Sequence, residues 1–291
     1  MTSFAIALVL VSSCMHAAWN LLARYDRSET RFIGQMLFAT FLVCLVPAVL
    51  LEIFTARLGV RAWACVLLAG TCSGVYYFGL ARAYGMTDLT IVYPVVRSLP
   101  VLFVALGDVF SGRAVSSVGW LGLALIVVGC CLAPLRSFGD FSLRRYANRS
   151  TVWMLLAAAG TVGYSLIDKF GLESVTPGPM TAARYCCFFF ITAYGVYLLL
   201  LRVTNHDTLV LRTTNWGLPM MAAVLNFTSY WLILWAYQMV LLAGYVVAFR
   251  QLSIVLAVVV ALCIFKEEGR NVRLTGTILI SAGLVLIGVW G

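Results

Sequence analysis

Charges are so sparse in this chain that they cut it into long apolar runs. Met1–Ala23, Phe32–Leu51, Ala62–Ala81, Ala114–Leu135 and Ser150–Ile167 carry none, and Leu89–Gly107 holds only Arg97. Tyr185–Leu201 is clean, and its span begins a little earlier, past Pro179 and Arg184. Thr213–Phe249 is too long for one crossing, so a break is expected near Gln238–Gly244, with the second helix running on to about Phe265. Leu274–Gly291 is last. A bilayer-crossing helix needs roughly 20 apolar residues, so ten spans are expected. Only helices can cross singly with every backbone group satisfied. The expected fold is an all-α integral membrane protein.

The composition agrees: 63% of residues are hydrophobic, 11% are charged, and mean hydropathy is +0.99. A soluble domain is nearer half apolar and a quarter charged. The net charge of +9 does not indicate nucleic acid, because the basic residues separate apolar spans and do not line one polar face. The loops after spans one, three, five, seven and nine hold 13 Lys/Arg, against four in the loops after two, four, six and eight. By the positive-inside rule the richer set is cytoplasmic and both termini lie outside. The expected location is a cell membrane, of the bacterial inner-membrane kind. The N-terminus lacks a basic n-region and an A-x-A site, so it reads as a retained first helix. The nine cysteines show no metal-ligand spacing and read as small apolar helix residues. No metal or cofactor is implied. No P-loop, G-x-S-x-G or H-x-x-x-H pattern occurs, so an enzyme is not expected. The partners expected are the lipid bilayer and a small-molecule metabolite; the oligomeric state is left open, a monomer included.

The longest loop, Arg136–Arg149, holds four arginines and lies midway. It divides the chain into 1–135, a basic linker 136–149, and 150–291. The halves resemble each other. Ala83-Tyr84 matches Ala236-Tyr237, and at the same offset Tyr77 falls on Tyr230, Arg97 on Arg250 and Leu99 on Leu252. One residue further out of step, Gly122 falls on Gly276 and Gly129 on Gly283; earlier, Leu21 falls on Leu166 and Arg24 on Lys169. Five spans per half is odd, so the second half enters the membrane upside down. Inverted repeats of this kind place a solute site near the midplane, between the repeats.

Two stretches carry a family resemblance. "ARAYGMTDLTIVYPVVRSLPVLFVALGDVF...GWLGLALIVVGCCL" and "WAYQMVLLAGYVVAFRQLSIVLAVVVALCIFKEE...LTGTILISAGLVLIGV" resemble the EamA domain of the drug/metabolite transporter (DMT) superfamily. The marks are an Ala-Tyr pair, a helix with a central proline, a Gly-Glu-Arg-like loop and a closing G-x-x-L-I-x-x-G helix. Two departures occur: Arg113 stands where the loop glutamate of the first half would be, with Glu267 in the second, and Val247 replaces the counterpart of Pro94. "MHAAWNLLAR" with "YPVVR" is similar to a subgroup of permeases thought to handle phosphonates or related metabolites. The resemblance implies ten helices in two inverted repeats. Related small multidrug exporters carry a membrane glutamate eight residues before a lysine in their first helix. Here Arg24 takes the lysine-like place and His16 stands where the acid would be; in the second half Lys169 leads back to Thr161. The cation-exporter carboxylate is missing twice.

Several residues could serve a site. Arg97 lies nine residues from Asp88 and eleven from Asp108, about 14 Å from the nearer end, too deep to snorkel. A charge there costs about 3 kcal/mol or more and faces a cavity or a partner. Pro94 and Pro100 flank it and are expected to kink or open the helix. Its mate Arg250 precedes Gln251, where the first half has Ser98. Two guanidinium forks suit a carboxylate or phosphonate, unless each pairs with a protein group. His16 and Asn20 share a helix face, and His16 is either a proton relay or a packing histidine. Asp168 beside Lys169 is expected as an interfacial ion pair or cap, with a gate or proton site as the other reading. Tyr77, Tyr93 and Tyr230, with Asn226 on the eighth span, suit an apolar cavity with polar tips; Trp231 and Tyr237 fit either that cavity or an interfacial belt. The function expected is secondary-active or facilitative transport of a small anionic or zwitterionic metabolite by alternating access. A proton-coupled multidrug or quaternary-ammonium exporter is the alternative, and a membrane enzyme or lipid-binding subunit is a third.

Overall fold

A computed structural model describes residues 1–23, 29–54, 57–84, 86, 89–140, 149–204, 216–263 and 269–291, without the side chains of 23, 29, 84, 89–94 and 261. The described residues form helices and no strand: α1 (Ser3–Ala23), α2 (Glu29–Phe54), α3 (Val60–Tyr84), α4 (Leu89–Phe110), α5 (Ser117–Leu132), a 3-10 turn at Phe138–Asp140, α6 (Arg149–Leu172), α7 (Pro179–Val203), α8 (Gly217–Tyr237), α9 (Ala243–Phe249), α10 (Leu252–Cys263) and α11 (Arg270–Trp290). The apolar runs translate directly into helices because the backbone must satisfy itself where no water reaches. Pro179 opens α7, where its missing N–H costs nothing. Ser116 caps α5 by accepting from the Gly119 N–H at 2.9 Å.

Eight helical stretches among the described residues are long and apolar enough to cross a membrane, with α9 and α10 counted as one over Ala243–Val260. The expected fifth span is shorter than its charge-free run: α5 covers 16 residues, about 24 Å at 1.5 Å per residue. The Ser116 cap starts it late.

The expected opening beside Arg97 does not occur. Helix α4 runs unbroken through Pro94 and Pro100. The interruption falls instead at the repeat mate, between α9 and α10 at Arg250–Gln251. There Gln251 N bonds Ala248 O, Ser253 N bonds Arg250 O and Ile254 N bonds Gln251 O, all one residue tighter than an α-helix. Side chains take the displaced carbonyls: Ser253 Oγ donates to Arg250 O at 2.8 Å and Gln251 Nε2 to Val247 O at 3.0 Å. Polar side chains that compete for backbone carbonyls bend this helix; proline is not the cause.

Small residues set the packing. Helix α3 lies against α6, α8 against α1, α5 against α11 and α2 against α7, while α4 packs on α6 and α10 on α1. A Cβ at Gly160 would sit 2.7 Å from Cys72 O, and one at Gly129 would sit 2.6 Å from Gly276 O. Ser12 and Ser229 clasp α1 to α8 by donating to each other's carbonyls at 2.7 and 3.0 Å. The interior is aromatic: Trp19, Tyr185, Tyr197, Tyr237, Phe189 and Phe190 are fully buried. Tyr237 is therefore a core residue, contrary to the belt reading. Outward, α2 exposes Leu42, Val43, Val46, Val49, Leu50 and Ile53, a face suited to lipid.

Candidate functional site

A cleft lies between α1, α3, α4, α6, α7, α8 and the α9–α10 break. One compartment is lined by His16, Trp19, Ser73, Tyr76, Tyr77, Tyr164, Phe189, Asn226, Ser229, Tyr230 and Arg250. The adjoining one is lined by His16, Tyr76, Val96, Arg97, Pro100, Thr161, Tyr164, Val247, Arg250 and Gln251. His16, Tyr76, Tyr164 and Arg250 face both. The space left between these side chains is narrow, on the order of one water molecule per compartment.

The two arginines meet this cleft from opposite halves of the chain. The continuous helix α4 brings Arg97 in, and its Nη2 lies 2.6 Å from His16 Nε2. The tightened turn between α9 and α10 brings Arg250, 7% exposed, with its guanidinium carbon 5.7 Å from the centre of the Tyr230 ring. That distance is within cation–π range. Tyr230 stacks on Phe189 at 4.6 Å, and Tyr164 meets it edge-on at 5.6 Å. Tyr77 and Asn226 are bonded to each other, Asn226 Nδ2 donating to the Tyr77 hydroxyl at 2.9 Å. Gln251 lines the Arg97 compartment, and its Oε1 is buried without a hydrogen-bond partner among the described residues.

Other expected site residues lie elsewhere. Asn20 donates to His16 O at 2.7 Å and does not line the cleft. Ser98 is turned to Cys131 on α5. The side chain of Tyr93 lies outside the described ones. Asp168 is not an interfacial ion pair. It is fully buried and its carboxylate accepts a hydrogen bond from the Tyr230 hydroxyl, with Tyr185 beside it. Successive helix residues point about 100° apart, so Lys169 faces away and takes the ionic role itself. It pairs with Glu173 at 2.9 Å and donates to Tyr237 O and Val240 O at 2.9 and 2.5 Å.

Lys169 belongs to a cluster that ties one end of the bundle together. Arg113 contacts Asp108 at 3.0 Å and Glu173 at 2.9 Å. Asp108, fully buried, also accepts from Gly244 N at 2.7 Å. The C-terminal end of α8 and the N-terminal end of α9 are thus held by a lysine and a carboxylate, each of the sign those ends favour. Gln238 adds a bond from Gly178 N at 2.8 Å.

Residues 3–134 match the family model described as the EamA-like transporter family. The first half of the chain is similar to the EamA-like transporter family over these residues. Its five helices bring His16, Trp19, Tyr76, Tyr77 and Arg97 to the cleft. A solved structure described only as the crystal structure of a protein superposes with a TM-score of 0.70 at 16% identity, over 100% of both chains. That likeness is one of fold alone and spans both halves. No curated protein matches the chain. The EamA match and the apolar helices together make this a multi-pass membrane protein.

Sequence reasoning missed Trp19, Ser73 and Phe189 as lining residues. Trp19 stands three residues after His16 and Ser73 four before Tyr77, so helical spacing carried a signal for both. Phe189 sits in an unbroken apolar run with nothing to single it out.

Proposed function

We propose that the chain is a ten-span transporter that carries a small anionic or zwitterionic metabolite, by secondary-active or facilitative alternating access of two inverted five-helix halves. The observation that carries this reading is the pair Arg97 and Arg250, one from each half, lining one cleft. A guanidinium in a membrane interior is expensive and marks a solute path by default. Two of them beside an imidazole offer a field and a fork geometry for carboxylate or phosphoryl oxygens.

The packing supports the inverted repeat. Exchanging the halves maps α3 on α6 to α8 on α1, and α4 on α6 to the broken α9–α10 on α1; both members of each exchange are contacts. The glycines behave alike. If Gly122 corresponds to Gly276 and Gly129 to Gly283, a twofold turns the close approach of Gly122 to Gly283 into that of Gly276 to Gly129, and both occur. The Lys169–Glu173–Arg113–Asp108 cluster then acts as a closed gate at one end of the path. The exporter alternative draws on one observation, the buried Asp168. That acid does not line the cleft, and the Tyr230 ring stands on the path to it, which favours the anion reading.

The test is uptake in proteoliposomes containing the purified chain, against organic acids, amino acids, phosphonates and quaternary ammonium compounds. Saturable flux of an acid that is lost in Arg97→Ala supports the reading. Flux of cations alone, unaffected by that substitution, overturns it.

A further inference from the structure

His16 holds a conflict that ordinary helix packing does not explain. The residue is 4% exposed. Trp19 Nε1 donates to its Nδ1 at 3.1 Å, the two rings meeting edge-on. Arg97 Nη2 stands 2.6 Å from its other nitrogen, Nε2. An indole N–H and a guanidinium only donate, and a neutral imidazole carries one N–H and one acceptor. One of the two contacts must therefore be donor against donor. Moving the proton to Nδ1 transfers the conflict to Trp19, and a second proton creates it at both nitrogens.

The two contacts differ in how freely they can yield. Trp19 is three residues along the same helix, and its side chain is among the largest that are fully buried. Its position relative to His16 is set by helix geometry. Arg97 comes from another helix on a long, flexible side chain and reaches into the cleft that Arg250 also faces. The indole bond therefore stays, the imidazole proton sits on Nε2, and the Nε2–H faces the guanidinium. One arrangement satisfies all the donors: an acceptor oxygen set between Nε2–H and Arg97.

We propose that His16 Nε2–H and the Arg97 guanidinium form a two-donor clamp on an oxyanion oxygen of the solute, carboxylate or phosphoryl. Trp19 is the positioning residue that fixes the imidazole tautomer. This rests on the anion-transport reading and sharpens it: His16 is a neutral donor to the solute and carries no proton across the membrane. Arg250, which lines the same compartment, supplies the second positive charge.

The test uses the full chain labelled with 15N-histidine in detergent, titrated with acetate and with inorganic phosphate, and with tetramethylammonium as the cation control. The His16 signals are assigned by their loss in His16→Gln. The wild-type spectrum is expected to show the Nε2–H tautomer, with Nε2 shifting on oxyanion addition. Trp19→Phe keeps the buried ring but removes the indole donor; it should mix the tautomers and weaken oxyanion binding about tenfold. A glutamine amide nitrogen reaches where Nε2 does and an asparagine amide reaches only where Nδ1 does. His16→Gln should therefore bind within a few-fold of wild type and His16→Asn about tenfold more weakly. If the wild type binds an oxyanion but Trp19→Phe changes neither tautomer nor affinity, or His16→Asn binds as well as His16→Gln, the clamp is wrong and the anion reading stands. Binding of tetramethylammonium with no response to either oxyanion defeats the anion reading itself. Acetate and phosphate separate the two oxyanion classes.

Discussion

At the scale of single residues, the two cations that line the cleft differ in kind. Arg97 touches an imidazole, whereas Arg250 rests on an aromatic ring whose hydroxyl is bonded to Asp168. Arg97→Ala should reduce uptake at least tenfold, the loss of one charge-assisted hydrogen bond, with no fall in the thermal midpoint, because a charge in apolar surroundings contributes little to folding. Arg97→Lys should recover only part of the flux, since an ammonium lacks the planar fork. Asp168→Asn keeps an acceptor for the Tyr230 hydroxyl and should leave solute exchange across the membrane intact. If the acid carries the coupling proton, the variant should lose accumulation driven by a proton gradient; retained accumulation would make Asp168 structural. The groups beside this carboxylate are Tyr230 and Tyr237 from α8, Tyr185 and Cys186 from α7, and Cys65 and Cys72 from α3. The sequence showed the arginines because a charge in an apolar run is conspicuous. Nothing in it separated Asp168 from Lys169, since adjacent letters hide the 100° between side chains, and the histidine's significance lay in the geometry of its two partners.

At the scale of elements, spans were legible as apolar runs, but their irregularities were not. Two prolines pointed to a break in α4, yet α4 is continuous and the break lies where Gln251 and Ser253 bind carbonyls. A proline in a membrane helix can be accommodated when its neighbours re-satisfy the freed group; a polar residue in an apolar run can reshape the backbone as well as line a cleft, as Gln251 does. The glycine mates are the clearest case of sequence foreshadowing packing. Gly129→Val would drive a side chain into the Gly276 carbonyl at 2.6 Å. Overpacking costs typically 1–3 kcal/mol, and backbone at the contact cannot rotate away, so about 3 kcal/mol or more is expected. Thermal unfolding in detergent would show it as a clear fall in midpoint. Gly59→Ala, with nothing within 4 Å, should leave the midpoint unchanged and serves as the control.

At the scale of the whole molecule, transport by alternating access requires one end of the path to be closed while the other opens, and in the proposed cycle the charged cluster is the closed end. Its strength is unevenly distributed. Glu173 is 35% exposed at the side chain, so its pairs with Arg113 and Lys169 contribute at most about 1 kcal/mol each. The buried bonds from Lys169 to the Tyr237 and Val240 carbonyls and from Gly244 N to Asp108 hold the α8–α9 turn more firmly. That turn leads within one short helix to Arg250, so in the proposed cycle movement of Arg250 and release of the cluster are mechanically joined. Locking the exposed pair should therefore stop transport without touching the cleft. Replacing Arg113 and Glu173 by cysteines and joining them with a short thiol-reactive cross-linker should abolish net flux and leave solute binding within a few-fold of the uncross-linked double variant. The comparison with the unreacted variant removes the effect of losing the ion pair itself. A cross-linker with a cleavable bond should restore flux on cleavage. Undiminished flux in the cross-linked protein would mean that this end does not open during the cycle, and the path would have to leave the bundle elsewhere.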